Sequence, residues 1–242
     1  MVNITAPLRI GYVLFPAFTA MDVFGPLQVL NLVSITHNMT LSLLSTDLEP
    51  VSVDRTIVDG VSGGMLGSSA SPDFTQFVLP THTFSDAPEL DVVFVPGGAG
   101  ARNINGTQPH VDWLRRRLAM DDDPHQQQQQ QQLKYVMSVC TGASLVARTG
   151  RIAGRNATTN KAAFTWVRSV EHAEDVNWIA RARWVVDGNL WTSSGVSAGT
   201  DMTLGWVEHM YGRNESERVR VMMEWNALNR TDDPFAGYYG LT

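Results

Sequence analysis

Tyr135-Val136-Met137-Ser138-Val139-Cys140-Thr141-Gly142-Ala143-Ser144-Leu145 decides the reading of this chain. An apolar, β-branched run stops at the only cysteine, and a helical pattern begins after Thr141-Gly142. A strand that turns sharply into a helix presents its turn side chain at the open end of a sheet, the device that exposes serine in G-x-S-x-G hydrolases. Here the presented atom is sulfur. A thiol at a helix N-terminus feels the positive end of the macrodipole, which favours a nucleophilic thiolate. A lone cysteine equally fits a small buried hydrophobe.

Working outward, the pattern alternates between strands and helices. Leu8 to Phe15 and Met39 to Ser45 read as strands. Leu90 to Val95 is an apolar strand running into Pro96-Gly97-Gly98-Ala99-Gly100. That loop lacks the Lys-Ser/Thr of a phosphate loop and the spacing of a dinucleotide fingerprint. Between the first two strands, Val23, Leu27 and Leu30 share a helical face, with Pro26 placed near the helix start. Asp22 falls just beyond the first strand, either as a helix cap or at the sheet end where α/β proteins hold ligands. Residues 46–88 suggest hairpins and extended pieces. His110 to Leu118 reads as a helix with Arg115, Arg116 and Arg117 on a solvated face. Lys161 to Val170 reads as a helix. Asp187-Gly188-Asn189 signals a hairpin, and helices follow from about Thr200 to Tyr211 and Asn214 to Asn226. Met202, Trp206, His209 and Met210 are taken as core. The alternation implies an α/β sandwich with a mostly parallel sheet, flavodoxin-like in layout, with an elbow at Cys140.

Length and composition restrict the function classes. The chain has 242 residues, 43% hydrophobic and 17% charged, with a formal net charge of −6. This suits a single domain over 1–242, interrupted by a low-complexity insertion at about 121–132 that includes Gln126 to Gln132 and adjoins His125. The acidic balance gives no reason to expect nucleic acid or an anionic membrane as partner, and no basic patch or helix-turn-helix suggests a transcriptional regulator. No apolar run is long enough to span a bilayer, no leader is recognisable at the N-terminus, and one cysteine forms no internal disulfide. A cytoplasmic location is expected.

Five pieces in order carry a resemblance: Asp22-Val23-Phe24-Gly25-Pro26, Val95-Pro96-Gly97-Gly98, Ser138-Val139-Cys140-Thr141-Gly142-Ala143, Ala157-Thr158-Thr159, and Thr192 to Asp201. With them the chain resembles the ThiJ/PfpI superfamily, whose flavodoxin-like fold is related to class I glutamine amidotransferase domains. Within it, the Asp of Asp-x-x-Gly-Pro and the Thr after the cysteine are similar to the isocyanide hydratases and their fungal relatives. The glyoxalase- and chaperone-like branch carries Glu at that acidic position. The resemblance implies a cofactor-free and metal-free enzyme, active on a small molecule and assembled as a homodimer. Cys140 would be the nucleophile and Asp22 its partner. The N–H groups of Gly98 and Thr141, beside Gly97, would form an oxyanion-type pair, with the Thr141 hydroxyl free for substrate or water. Ser197 and Asp201 would cap the last long helix and support the site.

One departure stands out. Relatives carry histidine after Ala-Thr-Thr, where this chain has Asn160-Lys161. Asparagine can hydrogen-bond but is no base near neutral pH, so a Cys–His mechanism is disfavoured at this position. Lys161 is read as an exposed helix-start residue. The leading expectation is hydration of an isocyanide to a formamide. The alternatives are glyoxalase-type hydration of 2-oxoaldehydes and a non-enzymatic redox sensor built on an accessible, acidic thiol.

Overall fold

A computed structural model describes residues 7–54, 74–118 and 133–241; the insertion read at 121–132 and His125 lie outside these. Four apolar segments form the middle of one sheet: β1 (Leu8–Val13), β2 (Met39–Ser45), β6 (Val92–Val95) and β7 (Tyr135–Val139). All of β6, and β7 from Val136 onward, is buried, as expected of strands covered on both faces. Two short antiparallel segments, β3 (Val51–Ser52) and β4 (Phe77–Val78), form a separate ribbon, and β5 (His82–Thr83) adds to the edge of the main sheet. Later come β8 (Asn156–Ala157) paired with β9 (Asn177–Trp178), then β10 (Trp184–Asp187) and β11 (Leu190–Ser193). The seven-stranded order is β10-β11-β7-β6-β1-β2-β5, parallel throughout except for β10 against β11. The α/β layout and the hairpin at Gly188-Asn189 agree with the sequence reading.

Helices α1 (Ala20–Val33), α5 (Ala198–Tyr211) and α6 (Arg213–Met222) pack on one another; α2 (Gln108–Arg117) packs on α3 (Gly142–Ala147). Short turns α4 (Phe164–Val167) and α7 (Phe235–Tyr238) complete the helices. The expected helix at Lys161 to Val170 is thus one turn only. Of the three α2 arginines only Arg116 is exposed. Arg115 donates to the carbonyls of Arg148 and Thr149, and Arg117 lies over the Trp113 ring. Met202, Trp206 and Met210 are core, but His209 is exposed, bonded to the Tyr135 hydroxyl and tilted against Trp191.

Pro26 is not near the helix start but well inside α1. A proline there leaves the carbonyl four residues back without its helical donor. That carbonyl is Asp22 O, and the buried Tyr12 hydroxyl donates to it at 2.6 Å. Tyr12 is itself stacked on Phe94, with ring centroids 5.0 Å apart. The helix therefore keeps its proline because a strand residue supplies the missing bond, and the same bond fixes the backbone of Asp22.

The amino-terminal edge of the sheet is pinned separately. Asp91, just before β6, accepts from the Arg9 backbone at 2.9 Å and its guanidinium at 3.0 Å, and pairs with Lys134 at 2.9 Å. These bonds and charges outweigh partial desolvation and hold the Asp91 carboxyl down at about 2.

Candidate active site

β1, β6, β7 and β11 lie near one another in the sheet, and their carboxyl ends open on one side. The chain passes from β1 outward to β2, then returns to β6 on β1's other flank. Such a reversal of strand order leaves a crevice at the carboxyl edge. Asp22 follows β1, Gly97-Gly98 follow β6, Cys140 follows β7, and Gly195-Val196 follow β11.

Cys140 has φ of +57°, the left-handed region that costs a non-glycine residue on the order of 1 kcal/mol or more. Its amide donates to Ser193 O and Ser194 O, while its carbonyl accepts the Thr159 hydroxyl at 2.8 Å. Neighbours on both sides hold the elbow in this conformation. The residue is only 5% exposed. Gly98, Asn160 and Gly195 around it are half-buried, and Val196 is exposed, so access lies on their side.

The glycine loop touches both reacting candidates. A Cβ on Gly97 would lie 2.5 Å from the Thr141 nitrogen and 2.8 Å from Cys140 Cβ. Gly98, at φ +148°, passes so close to Ala17 and Phe18 that a side chain would meet backbone. Thr19 N donates to Gly97 O at 2.8 Å, and Gly97 N donates to Asp22 Oδ2 at 2.9 Å.

Asp22 lies in the first turn of α1, fully buried, and the helix cap is Thr19. Burial pushes its carboxyl up to about 7, against the lowering effects of the Gly97 N–H and the contact with the Cys140 thiol. Oδ1 has no conventional hydrogen-bond donor and is sealed from solvent. The Cys140 thiol is pushed well up as well, first by burial and then by the Asp22 charge. The N–H groups of Thr141 and Val196 and the Asn160 amide, which face the sulfur, oppose this. The acidic, accessible thiol expected from the helix terminus is therefore corrected: α3 has six residues, and its dipole is outweighed by desolvation and a neighbouring carboxylate.

Several further expectations change. The Gly98 N–H is not available as an oxyanion donor, because it donates to the Thr141 hydroxyl at 2.9 Å. That hydroxyl in turn donates to Gly98 O at 3.2 Å, so it closes the loop and is not free for substrate. The N–H groups that converge on sulfur are those of Thr141 and Val196. Sequence reasoning missed Val196 because a backbone donor leaves no residue-type signal. Ser197 occupies the cap position of α5 without a side-chain cap bond, and its hydroxyl faces Arg183 at 3.2 Å. Asp201 does not cap either; it binds Arg183 at 2.6 Å and the Trp225 indole at 2.6 Å, tying the C-terminal segment to α5. Lys161 is buried, not exposed, and its ammonium meets Thr158 Oγ1, Ala182 O and Asp233. Asn160 packs against Gly195, where an added Cβ would lie 2.4 Å from its Nδ2. Its Oδ1 accepts from Ala163 N at 3.0 Å, which orients the amide toward Cys140.

The described histidines bond elsewhere. His110, for example, is buried against Leu14 O, and burial holds it down at about 4. Among the described residues no cluster of His, Cys, Asp or Glu could hold a metal, and no helix is long and apolar enough to cross a membrane.

Comparison with known proteins gives four findings. A model of the DJ-1/PfpI family matches residues 9–209. An isonitrile hydratase from Pseudomonas putida is 30% identical over 218 residues, which is 90% of this chain and 78% of that protein. The HTH-type transcriptional regulator GbdR of Pseudomonas aeruginosa is 24% identical over 94% of this chain, which spans about half of that regulator (53%). Among solved structures, a ThiJ/PfpI family protein from Pseudomonas syringae superposes with a TM-score of 0.66 at 24% identity, covering 95% of this chain and 78% of that one.

Proposed function

The chain belongs to the DJ-1/PfpI family, and on that premise we propose that it is a cysteine-dependent hydratase that converts an isocyanide to an N-substituted formamide. The observation that carries the reading is the placement of a fully buried Asp22 carboxyl, one oxygen unpartnered and the other held by Gly97 N–H, at the sheet edge where that same glycine packs on Cys140. Similarity to the isonitrile hydratase supports the choice of substrate class.

A carboxyl with a pKa near 7 can take and return protons at neutral pH. Ionised Asp22 accepts the Cys140 proton, and the thiolate attacks the terminal carbon of R–N≡C to form a C–S bond. Asp22 returns the proton to that carbon, giving the thioimidate R–N=CH–S–Cys140. Water then gives a proton to Asp22 and adds to the same carbon, and Asp22 passes this proton to nitrogen. The C–S bond breaks, the sulfur takes the hydroxyl proton, and R–NH–CHO leaves. The donors from Thr141, Val196 and Asn160 point at sulfur, so they favour thiolate as attacking and leaving group. No step needs a histidine.

Turnover of an aryl isocyanide, followed by formamide formation, tests the reading. Cys140→Ala is expected to abolish it. Full turnover by that variant, or lactate formation from methylglyoxal with no action on isocyanides, overturns it.

A further inference from the structure

Asn160 reaches the thiol from a loop, and a side chain from the far end of the chain holds that loop. Lys161, the next residue, sends its ammonium inward to Thr158 Oγ1 at 2.7 Å, Ala182 O at 2.9 Å and Thr159 O at 3.4 Å. Its charge partner is Asp233 Oδ2 at 3.2 Å, with the two side chains 2% and 1% exposed. Asp233 is fixed in turn by its other oxygen, which accepts from Phe235 N at 2.9 Å and Ala236 N at 3.3 Å. A dry ion pair is costly to form and costlier to leave half-made, so the loop and the C-terminal segment are bound to one arrangement. Thr159 then bonds the Cys140 carbonyl at 2.8 Å, and Asn160, packed against Gly195, faces the same thiol. Asp233 lies outside the residues matched by the family model.

We propose that Asp233 is a positioning residue for the active site: by clamping Lys161 it sets the loop that aims the Asn160 amide at Cys140. This rests on Cys140 as the reacting group, but not on the identity of the substrate. The C-terminal segment is then part of the site's architecture.

The test reads Cys140 alkylation by iodoacetamide against pH in the full chain, by intact mass. Asp233→Asn keeps the acceptor for Phe235 N and removes the charge. It is expected to slow alkylation at pH 7 about fivefold, the worth of one hydrogen bond to sulfur, and to move the thiol profile to higher pH. Asn160→Ala should do the same, and the double variant should be no slower than either. Val219→Ala, a core truncation in α6, should lower stability and leave the profile unchanged. If Asp233→Asn fails to fold, Lys161→Met with Asp233→Asn removes both charges and should show the same slowing. A wild-type profile in a folded clamp variant, fully multiplicative effects with Asn160→Ala, or the same shift in Val219→Ala would each overturn the proposal. A clamp effect on alkylation without isocyanide turnover would uphold the positioning role and reject the substrate.

Discussion

Replacing Asp22 with asparagine should make the protein more stable and less active, and the gain should depend on pH. The carboxyl moves from an ordinary 3.8 to about 7 in the folded chain. The folded state therefore holds this proton where the unfolded state has released it. Stability linked to Asp22 is fully present below 3.8, falls as pH rises towards 7, and stays low above. A displacement of about three pH units, at about 1.4 kcal/mol each, amounts to roughly 4 kcal/mol across the window. Asparagine does not ionise and keeps an acceptor for the Gly97 N–H. The difference in unfolding free energy, variant minus wild type, should grow by about 2–4 kcal/mol between pH 4 and pH 8. Urea unfolding of both proteins at four or five pH values measures it, and turnover on the same samples should show the loss of activity. A flat difference across that range would refute the reasoning. So would a difference that shrinks with rising pH, because Asp22 would then be a stabilised carboxylate and not a strained one.

Three further outcomes follow from the same geometry. If ionised Asp22 takes the thiol proton, kcat/KM for an isocyanide should rise with pH to a plateau with an apparent pKa near 7 belonging to the Asp22–Cys140 pair, and Asp22→Asn should remove that limb. Tyr12→Phe should cost about 1 kcal/mol by unfolding, and less in a Pro26→Ala background, where the helix can supply its own donor to Asp22 O. Gly97→Ala should abolish turnover while far-ultraviolet circular dichroism stays native, because the added methyl meets Thr141 and Cys140 backbone-side atoms and displaces the loop.

The layout was largely legible in the sequence because parallel strands buried on both faces leave long apolar runs. Met39–Ser45 is legible to the residue although its first half is partly exposed. The elbow was legible because the apolar run stops at cysteine with Thr-Gly behind it. What escaped shares one cause: pairing set by the third dimension. Lys161 reads as a surface residue until Asp233 folds back on it. Val196 contributes only a peptide N–H, delivered because β11 lies beside β7. The Gly98 N–H reads as free because nothing in a sequence shows the Thr141 hydroxyl folding back onto it. The upward shift of the thiol escapes the sequence because a helix terminus is visible there and desolvation is not.

The Asp91 pin has a bearing on how this gene can change. Leu118 and Leu133 flank the glutamine tract, and Leu133 leads through Lys134, held by Asp91, into β7 at its amino-terminal end. Cys140 is at the other end of that strand. Repeats of one codon lengthen and shorten readily during replication. Any such change reaches the described fold through the Lys134–Asp91 anchor, at the end of β7 remote from Cys140. Alleles that differ in glutamine number should therefore be catalytically interchangeable, and the tract is free to drift at a rate the elbow is not.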